Sequence, residues 1–149
     1  MKRFAELLDA LVYMPSRNGK IALLRRYFAE APDPDRGWAL AAITGEKRFR
    51  RIKPGMVREL VTERVDPVLF QWSYDYVGDL AETTALIWPE RDGINDPDPP
   101  GLAELVDELA AASRLDLPGL LAGWLDRLDA TGRWALLKFL TGGLRVGVS

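Results

Sequence analysis

Apolar residues recur through this chain at the three- and four-residue spacing of one helix face, and proline, glycine or Asp-Pro cuts the pattern before any helix grows long. Nothing in it alternates convincingly enough for a half-buried strand. Phe4, Leu7, Leu8, Leu11 and Val12 trace a first buried stripe, predicting a helix over 4–14 that Pro15 stops. Ser16 is a good N-cap for a second helix whose Ile21, Leu24 and Phe28 face the core, and Pro32-Asp33-Pro34-Asp35 ends it. A short helix is expected over 36–43. From Thr44 to Lys53 the periodicity lapses and Arg and Lys accumulate, which reads as an exposed basic loop.

Pro54 can open the next helix, through Val57, Leu60 and Val61. Asp66-Pro67 is a cap followed by a first-turn proline, starting a helix that carries Leu69, Phe70 and Trp72, and Gly78-Asp79 repeats the stop and start before Leu80, Thr83, Ile87 and Trp88. Residues 89–101 hold four prolines and several acids, so they form the longest loop and a possible divide between two helical lobes. Leu102, Leu105, Val106 and Leu109 mark another helix, as do Leu117, Leu120, Leu121, Trp124, Leu125 and Leu128. The last runs from about Thr131 to Leu140, where Thr141-Gly142-Gly143 ends it. The expected fold is all-α, an irregular single domain of roughly nine helices spanning 1–149.

Composition narrows the chemistry. The 149 residues are 48% hydrophobic, enough for one sizeable core. With no Cys and no His, disulfides, thiolate metal sites and a Ser-His-Asp triad are excluded. There is no signal-peptide pattern and no run of about 18 apolar residues, so the expectation is a soluble, cytoplasmic, monomeric protein. Phosphate-loop and dinucleotide-binding glycine motifs are missing too. Asp96 and Asp98 could serve as paired carboxylates or Mg²⁺ ligands, but in a proline-rich loop they read as solvated. The tryptophans, Trp38, Trp72, Trp88, Trp124 and Trp134, fall on apolar stripes, which favours core packing over base stacking.

The formal net charge of −2 hides a strong asymmetry: residues 1–58 carry 13 Lys/Arg against 6 Asp/Glu, a balance of +7, and residues 59–149 a balance of −9. After Asp129 the sign reverses again, with Arg133, Lys138 and Arg145 the only charged side chains. If the fold joins the two basic ends they make a face suited to phosphates. Otherwise each is ordinary solvated surface.

The C-terminal run Trp134-Ala135-Leu136-Leu137-Lys138-Phe139-Leu140-Thr141-Gly142-Gly143-Leu144-Arg145-Val146-Gly147-Val148-Ser149 sets one Arg among glycines that permit close backbone approach. That suits a phosphate grip, and equally a helix C-cap with an exposed Arg. The run resembles the signature that closes the DNA-binding domain of bacterial ATP-dependent DNA ligases, with Leu144 in place of Phe. Phe4-Ala5-Glu6-Leu7-Leu8-Asp9-Ala10-Leu11, Pro15-Ser16-Arg17-Asn18, Lys20-Ile21-Ala22-Leu23-Leu24, Pro32-Asp33-Pro34-Asp35-Arg36-Gly37-Trp38-Ala39-Leu40, Asp66-Pro67-Val68-Leu69-Phe70 and the stretch from Ser73 to Thr83 are similar to the same group. The likeness runs in order along nearly the whole chain.

What the resemblance implies is a domain that grips nicked duplex DNA through phosphates and the minor groove, while the ligase's own nucleotidyltransferase domain and OB-fold complete the encirclement. The implied DNA contacts are Arg17 and Lys20 at the first interhelical turn, and Gly143, Arg145 and Gly147 in the closing loop. Arg17 and Lys20 also have a local reason, because the first turn of a capped helix favours a phosphate. Arg48, Arg50, Arg51 and Lys53 are candidates on charge alone. ATP and Mg²⁺ would belong to the parent enzyme, and no cofactor is expected here. None of Lys2, Lys20, Lys47, Lys53 or Lys138 is followed by x-Asp-Gly, the setting of the family's adenylated lysine, so no catalytic residue is expected and the chain reads as an excised N-terminal domain. The alternative from a different class is a helical protein-interaction module, its acidic half meeting a basic partner with Leu115-Asp116-Leu117-Pro118-Gly119-Leu120 as docking surface.

Overall fold

The computed structural model describes residues 1–45, 49, 51–90, 99–142 and 144, and among them the backbone forms nine α-helices and no strand. These are α1 (Lys2–Tyr13), α2 (Arg17–Glu30), α3 (Asp35–Thr44), α4 (Pro54–Arg64), α5 (Pro67–Val77), α6 (Leu80–Ile87), α7 (Leu102–Ala111), α8 (Leu117–Arg127) and α9 (Ala130–Thr141). The fold is all-α.

Local chemistry accounts for most of the boundaries. The Ser16 hydroxyl accepts from the Gly19 amide, Asp66 from Val68 and Leu69, Asp79 from Glu82, and Asp129 from Gly132, so four helices start on a side-chain cap. Pro54 and Pro67 occupy first-turn positions where a missing N–H costs nothing. Gly78 ends α5 at φ 77°, a left-handed conformation that an L side chain rarely adopts.

The centre is α9. Ala135, Leu136, Leu137, Phe139 and Leu140 are all fully buried, and the helix packs most extensively against α6 and α1. A helix apolar on nearly every side belongs inside a protein. Phe139 receives Phe4 of α1 edge-on at 5.6 Å and Phe49 at 5.0 Å, and Phe4 in turn meets Tyr27 of α2 at 6.5 Å. One core cluster draws on residues from both sides of the 89–101 segment, and α3 packs directly on α7.

Side chains from distant segments finish several helix ends. The Asp35 carboxylate accepts from the Leu102 and Ala103 amides at 3.1 and 3.0 Å, capping α7 from the start of α3. Gly101 leaves room for that cap, since a Cβ there would lie 2.5 Å from Asp35 Oδ2 and displace the carboxylate. At C-termini the role falls to arginine: Arg3 donates to Glu30 O and Arg36 to Phe28 O at the end of α2, and Arg51 donates to Leu109 O and Ala112 O at the end of α7. Each guanidinium satisfies carbonyls that the helix cannot, at its negative pole.

Several sequence expectations change. Val12, Leu69 and Trp72 are exposed rather than on core stripes, and in α2 it is Tyr27 that is buried while Ile21, Leu24 and Phe28 are half-covered. Trp72 is 70% exposed because α5 is apolar around most of its circumference and turns Phe70 inward instead. Trp88 and Trp124 do pack inside, with their indole N–H groups donating to Asp126 and Glu108. The basic loop is not simply exposed, since Ile52 is 2% exposed and Phe49 reaches Phe139.

Replacing Asp35 with Ala should leave two half-buried amides of α7 uncapped and lower stability by about 1–2 kcal/mol. Urea unfolding followed by circular dichroism reads this directly. An unchanged midpoint would mean that water caps α7 equally well.

Candidate nucleic-acid interface

The α2 N-terminus is built from Ser16, whose hydroxyl accepts from the Gly19 amide at 3.0 Å. Arg17 is exposed and Lys20 half-exposed, and no acid occupies that first turn. Among the described residues no carboxylate pairs with either side chain. The helix dipole, the free amide end and two cations therefore act in the same direction.

At the other end of the core, α9 stops at Gly142, which turns the chain at φ 81°, and Leu144 packs back against the core. A cleft of about 250 Å³ lies beside this exit, lined among others by Pro54, Arg58, Tyr74, Asp79, Lys138 and Thr141. Arg58 holds its guanidinium 4.7 Å from the centre of the Tyr74 ring. No sequence motif singles out Arg58, and only the packing of α4 on α5 brings it here. Lys53 precedes Pro54 as the exposed N-cap residue of α4.

The remaining candidates divide. Arg51 reaches the carbonyls that end α7, so its guanidinium serves the fold first. Arg48, Arg50, Gly143, Arg145 and Gly147 lie outside the described residues, as do Asp96 and Asp98. Arg17 and Lys20 do not line the cleft beside the α9 exit.

Two of the C-terminal cations expected on a basic face, Arg133 and Lys138, are internal. Arg133 is 1% exposed, donating through Nε to Leu125 O at 2.8 Å and through both terminal nitrogens to the Glu90 carboxylate at 2.7 and 3.3 Å. Lys138 donates to Asp79 at 2.6 Å from a mostly buried position. Both sit on a helix with almost no solvent-facing side, so their charge must be paired in place. The docking surface expected at 115–120 is likewise split, with Leu115 92% exposed and Leu117 in the core.

Burial alone would raise the Asp79 carboxyl, but the Lys138 hydrogen bond, the Glu82 and Ala81 amides and the Lys138 charge together hold it below its ordinary value of 3.8. Glu90 is lowered as well, chiefly by its hydrogen bond to Arg133. Among the described residues no group of three or more acids is placed to hold a metal ion, and no helix is long and apolar enough to cross a membrane. No protein-family model matches the chain, and the search of curated proteins returns no match.

Since Asp79 is lowered on folding, its stabilising contribution is present above the unfolded value and fades as pH falls through the folded one. Asp79→Asn, which keeps a competent N-cap, should therefore flatten the stability profile below about pH 4 while Glu90 maintains part of the slope. Denaturant midpoints across the acid range test this. An identical acid limb in wild type and variant would remove Asp79 from the account.

Proposed function

We propose that this chain binds nicked duplex DNA without sequence preference, as the N-terminal DNA-binding domain of an ATP-dependent DNA ligase. The carrying observation is where the closing signature begins. It begins at Gly142, which ends the most deeply buried helix at φ 81° beside the cleft of Arg58 and Tyr74. A phosphate grip needs a rigid base more than a high charge count, and Gly142 sits on one. The Gly-Gly-Leu-Arg-Val-Gly run from Gly142 to Gly147 supplies close backbone approach and one fork-shaped donor.

The α2 N-terminus adds a second point of contact. Contacts of this kind go to phosphate and sugar and carry no sequence information, as a nick-sealing enzyme requires. In this reading the fragment is not itself an enzyme. ATP, Mg²⁺ and the adenylated lysine belong to the nucleotidyltransferase domain, and the chain's partners are the nicked duplex and the ligase's other two domains.

Affinity for a nicked duplex should fall steeply with salt, with a log–log slope on the order of −3 to −6 and little change between sequences. Fluorescence anisotropy at several salt concentrations measures it, and a flat profile would sink the proposal.

Arg145→Ala should weaken binding by about five- to a hundredfold and make the salt slope shallower by about one unit, with melting temperature unchanged. A variant with full affinity and a lower melting temperature would instead make Arg145 a helix-end decoration.

A further inference from the structure

The helices α5 and α6 present a surface that the DNA reading does not use. Val68, Trp72 and Tyr76 follow each other at four-residue intervals along α5 and all are exposed, Trp72 at 70% and Tyr76 at 94%. The stripe lies apart from the inward-facing Phe70, so α5 is apolar on a solvent-facing side as well. Trp72, Tyr76, Leu86 and Ile87 line a groove of about 460 Å³ between the two helices. Leu86 also borders a second hollow of about 190 Å³, lined by Val12, Tyr13 and Trp134 from α1 and α9. The two join into one aromatic and aliphatic face, larger than scattered exposed hydrophobics.

Its charge selects what can cover it. Residues 66–90 contain five Asp/Glu and no Lys or Arg. Asp79 and Glu90 are already paired with Lys138 and Arg133, and Asp66 caps α5. Asp75 and Glu82, exposed on α5 and α6, and Asp9, which lines the second hollow, leave a rim of negative charge around the apolar face. Nucleic acid and anionic lipid are repelled by such a rim. A second copy meeting this one across a two-fold axis would set the same three acids against themselves.

We propose that the α5–α6 face docks an amphipathic helix of a partner protein whose apolar stripe is flanked by Lys and Arg. The exposed α5 stripe spans nine residues, about 12 Å, which two to three turns of an incoming helix cover. Trp72 and Tyr76 supply large contact area at low conformational cost, and Asp9, Asp75 and Glu82 fix the orientation through the partner's cations.

The test uses the 149-residue chain and three labelled helical peptides of about 16 residues: a Leu stripe with Lys/Arg flanks, the same stripe with Glu flanks, and the Lys/Arg peptide with its Leu replaced by Ser. Only the first should bind, and Trp72→Ser or Tyr76→Ser should each weaken it about tenfold with melting unchanged. Asp75→Lys combined with Glu82→Lys should transfer binding to the Glu-flanked peptide. Should Trp72→Ser prove unstable, the more exposed Tyr76→Ser decides. Equal binding of the two flanked peptides, equal binding without the Leu stripe, or insensitivity to Tyr76→Ser overturns the proposal. So does displacement of the peptide by nicked duplex, or a dimer in sedimentation velocity that Tyr76→Ser abolishes.

Discussion

Arginine at helix C-termini is the interaction on which this architecture depends. Short helices have a high ratio of ends to interior, and each end leaves carbonyls that the helix cannot satisfy. Here Arg3 and Arg36 reach the end of α2, Arg51 the end of α7, and Arg133 the last turn of α8. In each case the guanidinium comes from another part of the chain, so satisfying the carbonyl also fixes how two segments sit together. Arg133 extends this furthest, because its fork also clamps Glu90 and thereby ties the end of the α6 region to α8 and α9. A buried guanidinium is tolerable only with every donor direction answered, which makes that junction a demanding point of the fold.

The same use of arginine changes what the charge count means. The +7 balance of residues 1–58 suggests a broadly basic surface, yet Arg3, Arg36 and Arg51 are bound to carbonyls and Arg26 pairs with Glu30 at 3.3 Å. Toward the C-terminus both Arg133 and Lys138 are withdrawn into the core. What stays available among the described cations is scattered: Lys2 on α1, Arg17, Lys20 and Arg25 on α2, Lys53 ahead of α4, Arg58 above Tyr74 and Arg114 after α7. Attraction to a polyanion in such a molecule comes from a few placed donors rather than from a general positive field.

Helix limits were legible because their causes are local. Ser16, Asp66, Asp79 and Asp129 cap within three residues of themselves, Gly78 and Gly142 need positive φ, and Pro54 and Pro67 sit where proline does least harm. Which face turns inward was legible only where one stripe is apolar. In α1 the Phe4, Leu7, Leu8 and Leu11 stripe is buried, but the adjoining Val12 is not. α5 defeats the pattern, since Val68, Leu69, Phe70, Trp72, Tyr74, Tyr76 and Val77 leave only the narrow Gln71–Asp75 side polar. The fate of the charged side chains was illegible for another reason: Arg51 meets carbonyls 58 and 61 residues away, and Arg133 meets Glu90 43 residues back. No short-range spacing encodes those partners.

Polarity then follows from where the unpaired charges remain. The span 66–90 offers only acids, while the α2 N-terminus and the approach to α4 offer cations with few acids between them. Charges of opposite sign on different faces give the molecule a dipole, which turns it in the field of a polyanion before any contact forms. For the proposed binding the consequence is mainly kinetic: an approach with α5 and α6 leading is repelled, and one with α2 leading is drawn in. Orientation of this kind needs no sequence readout and little net charge. In the proposed reading, a domain with a formal charge of −2 presents one face to phosphates and keeps another for a basic partner.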